Sequence, residues 1–162
     1  DATDAYGRSK LAGEPSGPHV LILRCSLIGP FPQRRWHLFE WFRSLKPGQK
    51  APGFVNHRWN GVTSLQWAHL ARLIINGGHF DALTKISSLR HFAPNQALTK
   101  FELLSIFKEK TGSQVEIVPT RSLAPTDMTL RSAWDDLLDI FGRDLDIADA
   151  VEDMLQPELS PT

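Results

Sequence analysis

Apolar positions change period along the chain, and the changes mark its elements. Thr3 to Glu14 reads as a helix that stops before Pro15, and the Pro15-Ser16-Gly17-Pro18 cluster is a turn. Val20-Leu21-Ile22-Leu23 follows as a short unbroken apolar run, closed by Gly29-Pro30. That is the pattern of a strand buried on both faces in a parallel sheet. From Arg35 to Leu45 the residues Trp36, Phe39 and Phe42, with Trp41 and Leu45, recur at helical spacing until Lys46-Pro47-Gly48. Gly53 to Val62 keeps neither period and is expected to be irregular or weakly extended. Thr63-Ser64-Leu65-Gln66 spells a capping box that opens a helix through about Asn76, ended by Gly77-Gly78. Its apolar set, Leu65, Ala68, Leu70, Ala71, Leu73, Ile74 and Ile75, covers so much of the surface that the helix is expected to be well buried.

The second half continues in the same alternation. Ile86 to Phe92 is a candidate strand, and Thr99-Lys100-Phe101-Glu102 is a second capping box, opening a helix that Gly112 closes. Val115-Glu116-Ile117-Val118 alternates as a half-exposed strand before Pro119. Ser132 to Phe141 and Ile147 to Leu155 read as two last helices separated by Gly142. Helix, turn and buried strand make half of a repeated α/β unit, so the fold class expected is α/β with a parallel sheet.

Composition narrows the class. At 162 residues the chain is long enough for one domain, and 41% apolar with 22% charged residues is the make-up of a soluble globular protein. Eighteen basic residues balance eighteen acidic ones, so no net field draws it to nucleic acid or to an anionic membrane. No stretch reaches the roughly 18 to 20 apolar residues that cross a bilayer. The lone Cys25 excludes an internal disulfide and suits a reducing compartment, so the location expected is cytoplasmic. The chain opens Asp1-Ala2-Thr3-Asp4, without an initiator methionine or a secretory signal, and an upstream portion is therefore expected to be missing.

The chemistry starts at Tyr6 and Lys10. Four residues apart on a helix, their side chains share one face a turn apart. A neighbouring ammonium stabilises a phenolate, which is what a tyrosine needs to serve as a general acid near neutral pH. Taken alone such a pair is common on solvated helices. The stretch around it is not: Tyr6-Gly7-Arg8-Ser9-Lys10-Leu11-Ala12-Gly13-Glu14, a short turn, then Val20-Leu21-Ile22-Leu23-Arg24-Cys25-Ser26-Leu27-Ile28-Gly29. In residues, spacing and order it resembles the active-site helix and following strand of the extended short-chain dehydrogenases/reductases. Trp59-Asn60-Gly61-Val62-Thr63, Arg90-His91-Phe92-Ala93, Val115-Glu116-Ile117-Val118-Pro119 and Thr129-Leu130 before Phe141-Gly142 extend the resemblance towards the dTDP-4-dehydrorhamnose reductase-like group.

The resemblance implies the C-terminal part of a Rossmann-like parallel sheet carrying a small mixed α/β substrate-binding lobe. Residues 1–30 would end the nucleotide-binding domain with its active-site helix. Residues 31–162 would be mainly the lobe, with 63–77 a helix packing back on the sheet. It implies reduction of a 4-keto sugar nucleotide with NADPH or NADH as cofactor. Tyr6 would be the proton donor, and Lys10 would hold the nicotinamide ribose. Arg24, Cys25, Ser26 and Leu27 would lie near the nicotinamide, at the C-terminal edge where ligands bind open α/β sheets. Cys25 reads as a small buried residue rather than a nucleophile, because no paired histidine accompanies it.

The same Tyr and Lys serve epimerases and dehydratases on this scaffold, and a non-catalytic sugar-nucleotide-binding subunit is the rival from another class. The family's glycine-rich pyrophosphate turn and its catalytic Ser or Thr precede the tyrosine, so the chain by itself is expected to be inactive; a homo-oligomer is an expected partner arrangement. Arg34, Arg35, Trp59, Asn60 and Thr63 are the substrate-side candidates, since arginine suits a diphosphate and tryptophan can stack a base. Solvated charges beside core tryptophans fit the same pattern. His19, His37, His57, His69, His79 and His91 are scattered, with no His-x-x-x-His and no cysteine pair, so no metal is expected.

Overall fold

The computed structural model describes residues 4–31, 37–143 and 145–156. Arg34, Arg35 and Trp36 lie outside the described residues. The chain runs through α1 (Ala5–Ala12), β1 (Ile22–Arg24), β2 (Leu27–Ile28), α2 (Leu38–Arg43), β3 (Lys50–Phe54), β4 (His57–Trp59), β5 (Val62–Thr63) and α3 (Ser64–Asn76). It continues through α4 (Phe80–Thr84), β6 (Leu89–His91), β7 (Leu98–Thr99), α5 (Lys100–Thr111), β8 (Glu116–Thr120), β9 (Thr126–Asp127), α6 (Asp136–Phe141) and α7 (Ile147–Leu155).

The class is α/β, as expected, and the pairing is predominantly parallel. β1 pairs with β6, β2 with β5 and β3 with β8, all parallel. β4 stands between antiparallel β7 and parallel β9. Both capping boxes form. Thr63 and Gln66 exchange side-chain and backbone hydrogen bonds at the start of α3, and Thr99 and Glu102 do so at the start of α5. Gly112 ends α5 at φ 67, a left-handed conformation in which any Cβ would be strained.

The structure refines the sequence reading at three points. Gly53 to Val62, expected to be irregular or weakly extended, takes the extended form: it holds the end of β3, all of β4 and the start of β5. β3 contains Pro52, opposite Val118, and β8 contains Pro119, opposite Gly53. Among the described residues each strand has a single hydrogen-bonded neighbour in this two-stranded pair, so a missing N–H can face the free side. Second, α3 is not well buried. Only Gln66, Leu70 and Ile74 are buried, while Leu65 and Trp67 are exposed and Ile75 is 75% exposed. Its apolar residues wrap two faces, and one face alone is covered here. Third, the short helix α4 follows Gly78, where no element was expected, and α6 begins at Asp136 rather than Ser132.

Two apolar clusters hold the elements together. One joins Ile28 of β2 to Phe39 and Phe42 of α2, Leu103, Leu104 and Phe107 of α5, and Ile147 and Val151 of α7. Phe107 meets the Phe39 ring edge-on at 5.0 Å. The other joins Val62, Leu70, Ile74, Leu83, Phe92 and Leu137, with Leu21, Leu23 and Cys25 of the β1 segment against it. Beside this second cluster lies a buried cation. Arg90 of β6 has a side chain 1% exposed and pairs with Asp136 of α6 at 2.9 Å. It also donates to the carbonyls of Leu83, Ser87 and Leu89, with its guanidinium 4.7 Å from the Trp134 ring. One side chain thus ties α4, β6 and α6.

Candidate active site

α1 forms because Asp4 caps it, its carboxylate accepting from the Gly7 N–H at 2.7 Å, and because Gly13 stops it. No residue of α1 is buried. Tyr6 is 74% exposed and Lys10 is exposed on the same face, one turn on, so both side chains are accessible to a ligand.

Just past the helix, Glu14 reaches the sheet. Arg24, the last residue of β1, donates Nε and Nη2 to the two Glu14 carboxylate oxygens, each at 2.7 Å. This fork holds the Glu14 carboxyl below the usual carboxylate range, with the Arg24 hydrogen bond as the main cause. Arg24 stands in register with His91 of β6, and its carbonyl accepts from the Phe92 N–H at 2.8 Å. Burial, and then the Arg24 charge, hold the His91 imidazole below the ordinary histidine range. Glu14, Arg24 and His91 therefore meet at the C-terminal ends of two parallel strands.

The chain then crosses this edge through Cys25 and Ser26. Burial pushes the Cys25 thiol up to about 11, so it is protonated near neutrality and is no nucleophile. The Ser26 hydroxyl accepts from the Trp59 indole N–H at 2.7 Å, and the Ser26 carbonyl accepts from the Val62 N–H at 2.8 Å. Leu27, partly exposed, pairs with Val62. A Cβ on Gly61 would stand 2.1 Å from the Ser26 carbonyl oxygen and 2.3 Å from the Trp59 ring, so only glycine fits this crossing.

The structure thus brings together Arg24, Cys25, Ser26, Leu27, Trp59 and Thr63, along one strip that α1 joins through Glu14. Several of their polar groups are already committed. Asn60 acts as a surrogate strand residue: its amide donates to the Leu130 carbonyl at 3.0 Å and accepts from the Leu130 N–H at 2.7 Å. Thr63 is fully buried and caps α3.

Behind it lies a group that sequence reasoning missed. The Gln66 and Asn95 amides bond each other at 3.0 Å, and Asn95 also donates to the Gly61 carbonyl at 2.7 Å. Gln66 is visible in the sequence as the last residue of the capping box, but nothing local signals Asn95 as its partner. Glu14 was also within reach, as the last residue of the Tyr6 stretch.

A cavity of about 310 Å³, with Thr63 and Gln66 in its lining, opens on the α3 side of this strip, between the start of α3 and the α6–α7 junction. Leu65, His69 and Phe141 line it together with Asp146, Asp149 and Asp153. Three carboxylates repel a diphosphate, so this is not where a sugar nucleotide would sit. Among the described residues, no group of three or more His, Cys, Asp or Glu side chains could hold a metal ion. No helix among them is long and apolar enough to cross a membrane.

No protein-family model matches the chain, and no curated protein sequence does. Solved structures do. A dTDP-4-dehydrorhamnose reductase from Clostridium acetobutylicum matches with a TM-score of 0.71 at 16% identity, over 96% of this chain and 56% of its own. The chain shares the fold of the matched part of that reductase. The Bacillus anthracis reductase, solved in complex with NADP, shares that fold with a TM-score of 0.69 at 14% identity, over 92% of this chain and 53% of its own. A dTDP-glucose 4,6-dehydratase from Streptomyces venezuelae, with NAD bound, matches with a TM-score of 0.54 at 21% identity, over 93% of this chain and 45% of its own. The chain spans about half the length of the structures that share the reductase fold.

Proposed function

We propose that this chain forms the proton-donating and substrate-facing part of a nicotinamide-dependent reductase of a 4-keto sugar nucleotide, of the dTDP-4-dehydrorhamnose kind. The observation that carries the reading is the exposed Tyr6–Lys10 pair on α1, anchored beside the C-terminal end of β1 in a reductase fold. A nicotinamide cofactor would supply the hydride to the keto carbon. The residues fit its nicotinamide end: Lys10 offers an exposed ammonium one turn from Tyr6, and the strand edge beside it is built of small groups at Cys25 and Ser26.

In this reading Tyr6 gives its phenolic proton to the keto oxygen, so that the carbonyl becomes an alcohol, and Lys10 steadies the phenolate left behind. Residues 1–30, with α3 behind them, serve the cofactor side. Arg34 and Arg35, outside the described residues, stay candidates for the diphosphate on the chemistry of arginine alone, while Trp59, Asn60 and Thr63 frame the sugar by fixing the backbone around Gly61. Three reductases superpose with TM-scores of 0.71, 0.69 and 0.59 and the dehydratase with 0.54, so the likeness of fold leans to the reductases.

The test is NADPH and NADH consumption by the complete gene product with a dTDP-4-keto-6-deoxy sugar. Tyr6→Phe is expected to lower turnover at least a hundredfold, the scale on which general acid catalysis works (about 10² to 10⁴), with cofactor affinity nearly unchanged. Near-normal turnover in that variant removes Tyr6 from the chemistry. Binding of the sugar nucleotide with no turnover in the unsubstituted protein favours the non-catalytic subunit instead.

A further inference from the structure

α1 presents an imbalance: it carries the two residues assigned to the chemistry, yet it buries none of its own side chains. Helices of eight residues are held by packing rather than by propensity. Among the described residues, the fork between Arg24 and Glu14 is the side-chain hydrogen bonding that joins the end of this helix to the sheet. Other side-chain bonds of the helix are internal, Asp4 to Gly7 and Ser9 to the Tyr6 carbonyl.

Arg24 is anchored in the sheet. It lies in β1 in register with His91, and the sheet holds its carbonyl. The Arg24 and Glu14 side chains are 33% and 23% exposed, which leaves the pair partly shielded from water. The geometry of a two-pronged guanidinium–carboxylate contact fixes direction as well as distance, unlike a lysine's point charge.

We infer that Glu14 and Arg24 are positioning residues: their fork clamps the C-terminal end of α1 to the end of β1 and so fixes where Tyr6 and Lys10 stand relative to the strand edge. The inference rests on the reductase reading for its catalytic consequence, and on geometry alone for the clamp. It also gives Arg24 a different job from touching cofactor. A guanidinium with Nε and Nη2 engaged by Glu14 holds the helix, and the cofactor side is left to Lys10. A displacement of about 1 Å in a reacting group costs on the order of a hundredfold in rate, so a loosened helix is expected to cost turnover more than binding.

Two measurements separate the parts. Hydrogen exchange on the 162-residue chain reads the clamp without any reaction: in Glu14→Gln and in Arg24→Gln the α1 amides are expected to exchange at least tenfold faster, with α3 and α5 unchanged. Steady-state kinetics on the complete gene product reads the consequence. Both variants are expected to lose at least tenfold in kcat with the KM for sugar nucleotide and the Kd for NADPH within about twofold, and the swapped double variant Glu14→Arg/Arg24→Glu to regain part of the kcat. Unchanged α1 exchange overturns the clamp. Faster exchange with unchanged kcat overturns the positioning role, and loss of NADPH affinity in Arg24→Gln but not in Glu14→Gln returns Arg24 to the cofactor. If the unsubstituted protein shows no reductase activity, the functional reading fails while the exchange result still decides the clamp. Partly exposed pairs contribute little to global stability, so the variants are expected to fold.

Discussion

Replacing Arg90 by alanine is the sharpest challenge to the way this chain is held together. The substitution removes the donor to the Leu83 carbonyl, which is buried, and to those of Ser87 and Leu89, which are partly buried. A buried polar group left without a partner costs about 1 to 3 kcal/mol. Taking roughly 2 for Leu83 and roughly 1 for the other two together gives about 3 kcal/mol on that scale. Lost contact with the Trp134 face adds on the order of 1 kcal/mol. Asp136 adds little, because its side chain is 35% exposed and can rehydrate.

The terms total about 4 kcal/mol. For a chain of this size that corresponds to a drop in Tm of roughly 8 to 16 °C. Arg90→Lys keeps the charge but cannot reach Asp136 and three carbonyls at once, and is expected to lose about half as much. Urea denaturation with an unchanged slope, together with a thermal melt, measures both. A loss below about 1 kcal/mol for Arg90→Ala would show that the three carbonyls find other donors and that Arg90 does not tie α4, β6 and α6.

Other expectations are narrower. Gly61→Ala drives a methyl group into the Ser26 carbonyl and the Trp59 ring, and is expected to cost about 1 to 3 kcal/mol, read as a lower urea midpoint. A tolerated alanine would refute the close crossing. Cys25, pushed up to about 11 by burial, is expected to react with a thiol reagent at a rate that climbs about tenfold per pH unit from 7 to 10; a plateau below pH 9 would contradict it. Because the folded thiol stays protonated where the unfolded one ionises, with an ordinary value of 9.0, its effect on stability is a loss as pH rises between 9.0 and about 11. The chain by itself, whose β1 has a single paired edge among the described residues, is expected to self-associate in light scattering and to show no micromolar binding of NADPH or NADH by calorimetry. A monodisperse, cofactor-binding monomer would refute that.

What the sequence made legible was local. Thr63 with Gln66 and Thr99 with Glu102 act within one turn, so both capping boxes could be read from four letters each. That Tyr6 and Lys10 share a helix face was legible for the same reason, while the role proposed for them comes from the resemblance of the stretch around them. Pairing over distance was not. Lys50 to Phe54 carries a proline and little alternation, and becomes a strand only because Glu116 to Thr120 lies beside it. The burial of α3 was overestimated because periodicity shows which residues are apolar without showing which of two apolar faces is covered. The Asn95–Gln66 contact and the Asn60–Leu130 contact join residues 29 and 70 positions apart, and no local pattern marks either.

Those long separations set the order in which the chain can acquire its shape during synthesis. Ile22 waits for Leu89, Leu27 for Val62, and Lys50 for Glu116. At a translation speed of roughly 5 to 20 residues per second, the β1 segment leaves the ribosome about three to thirteen seconds before its partner strand exists. During that interval the β1 edge that Leu89 to His91 will pair stays without that partner. β5 precedes α3 and β6 precedes α5, so when both capped helices have been made it is β3 and β4 that still wait, for β8 and β9.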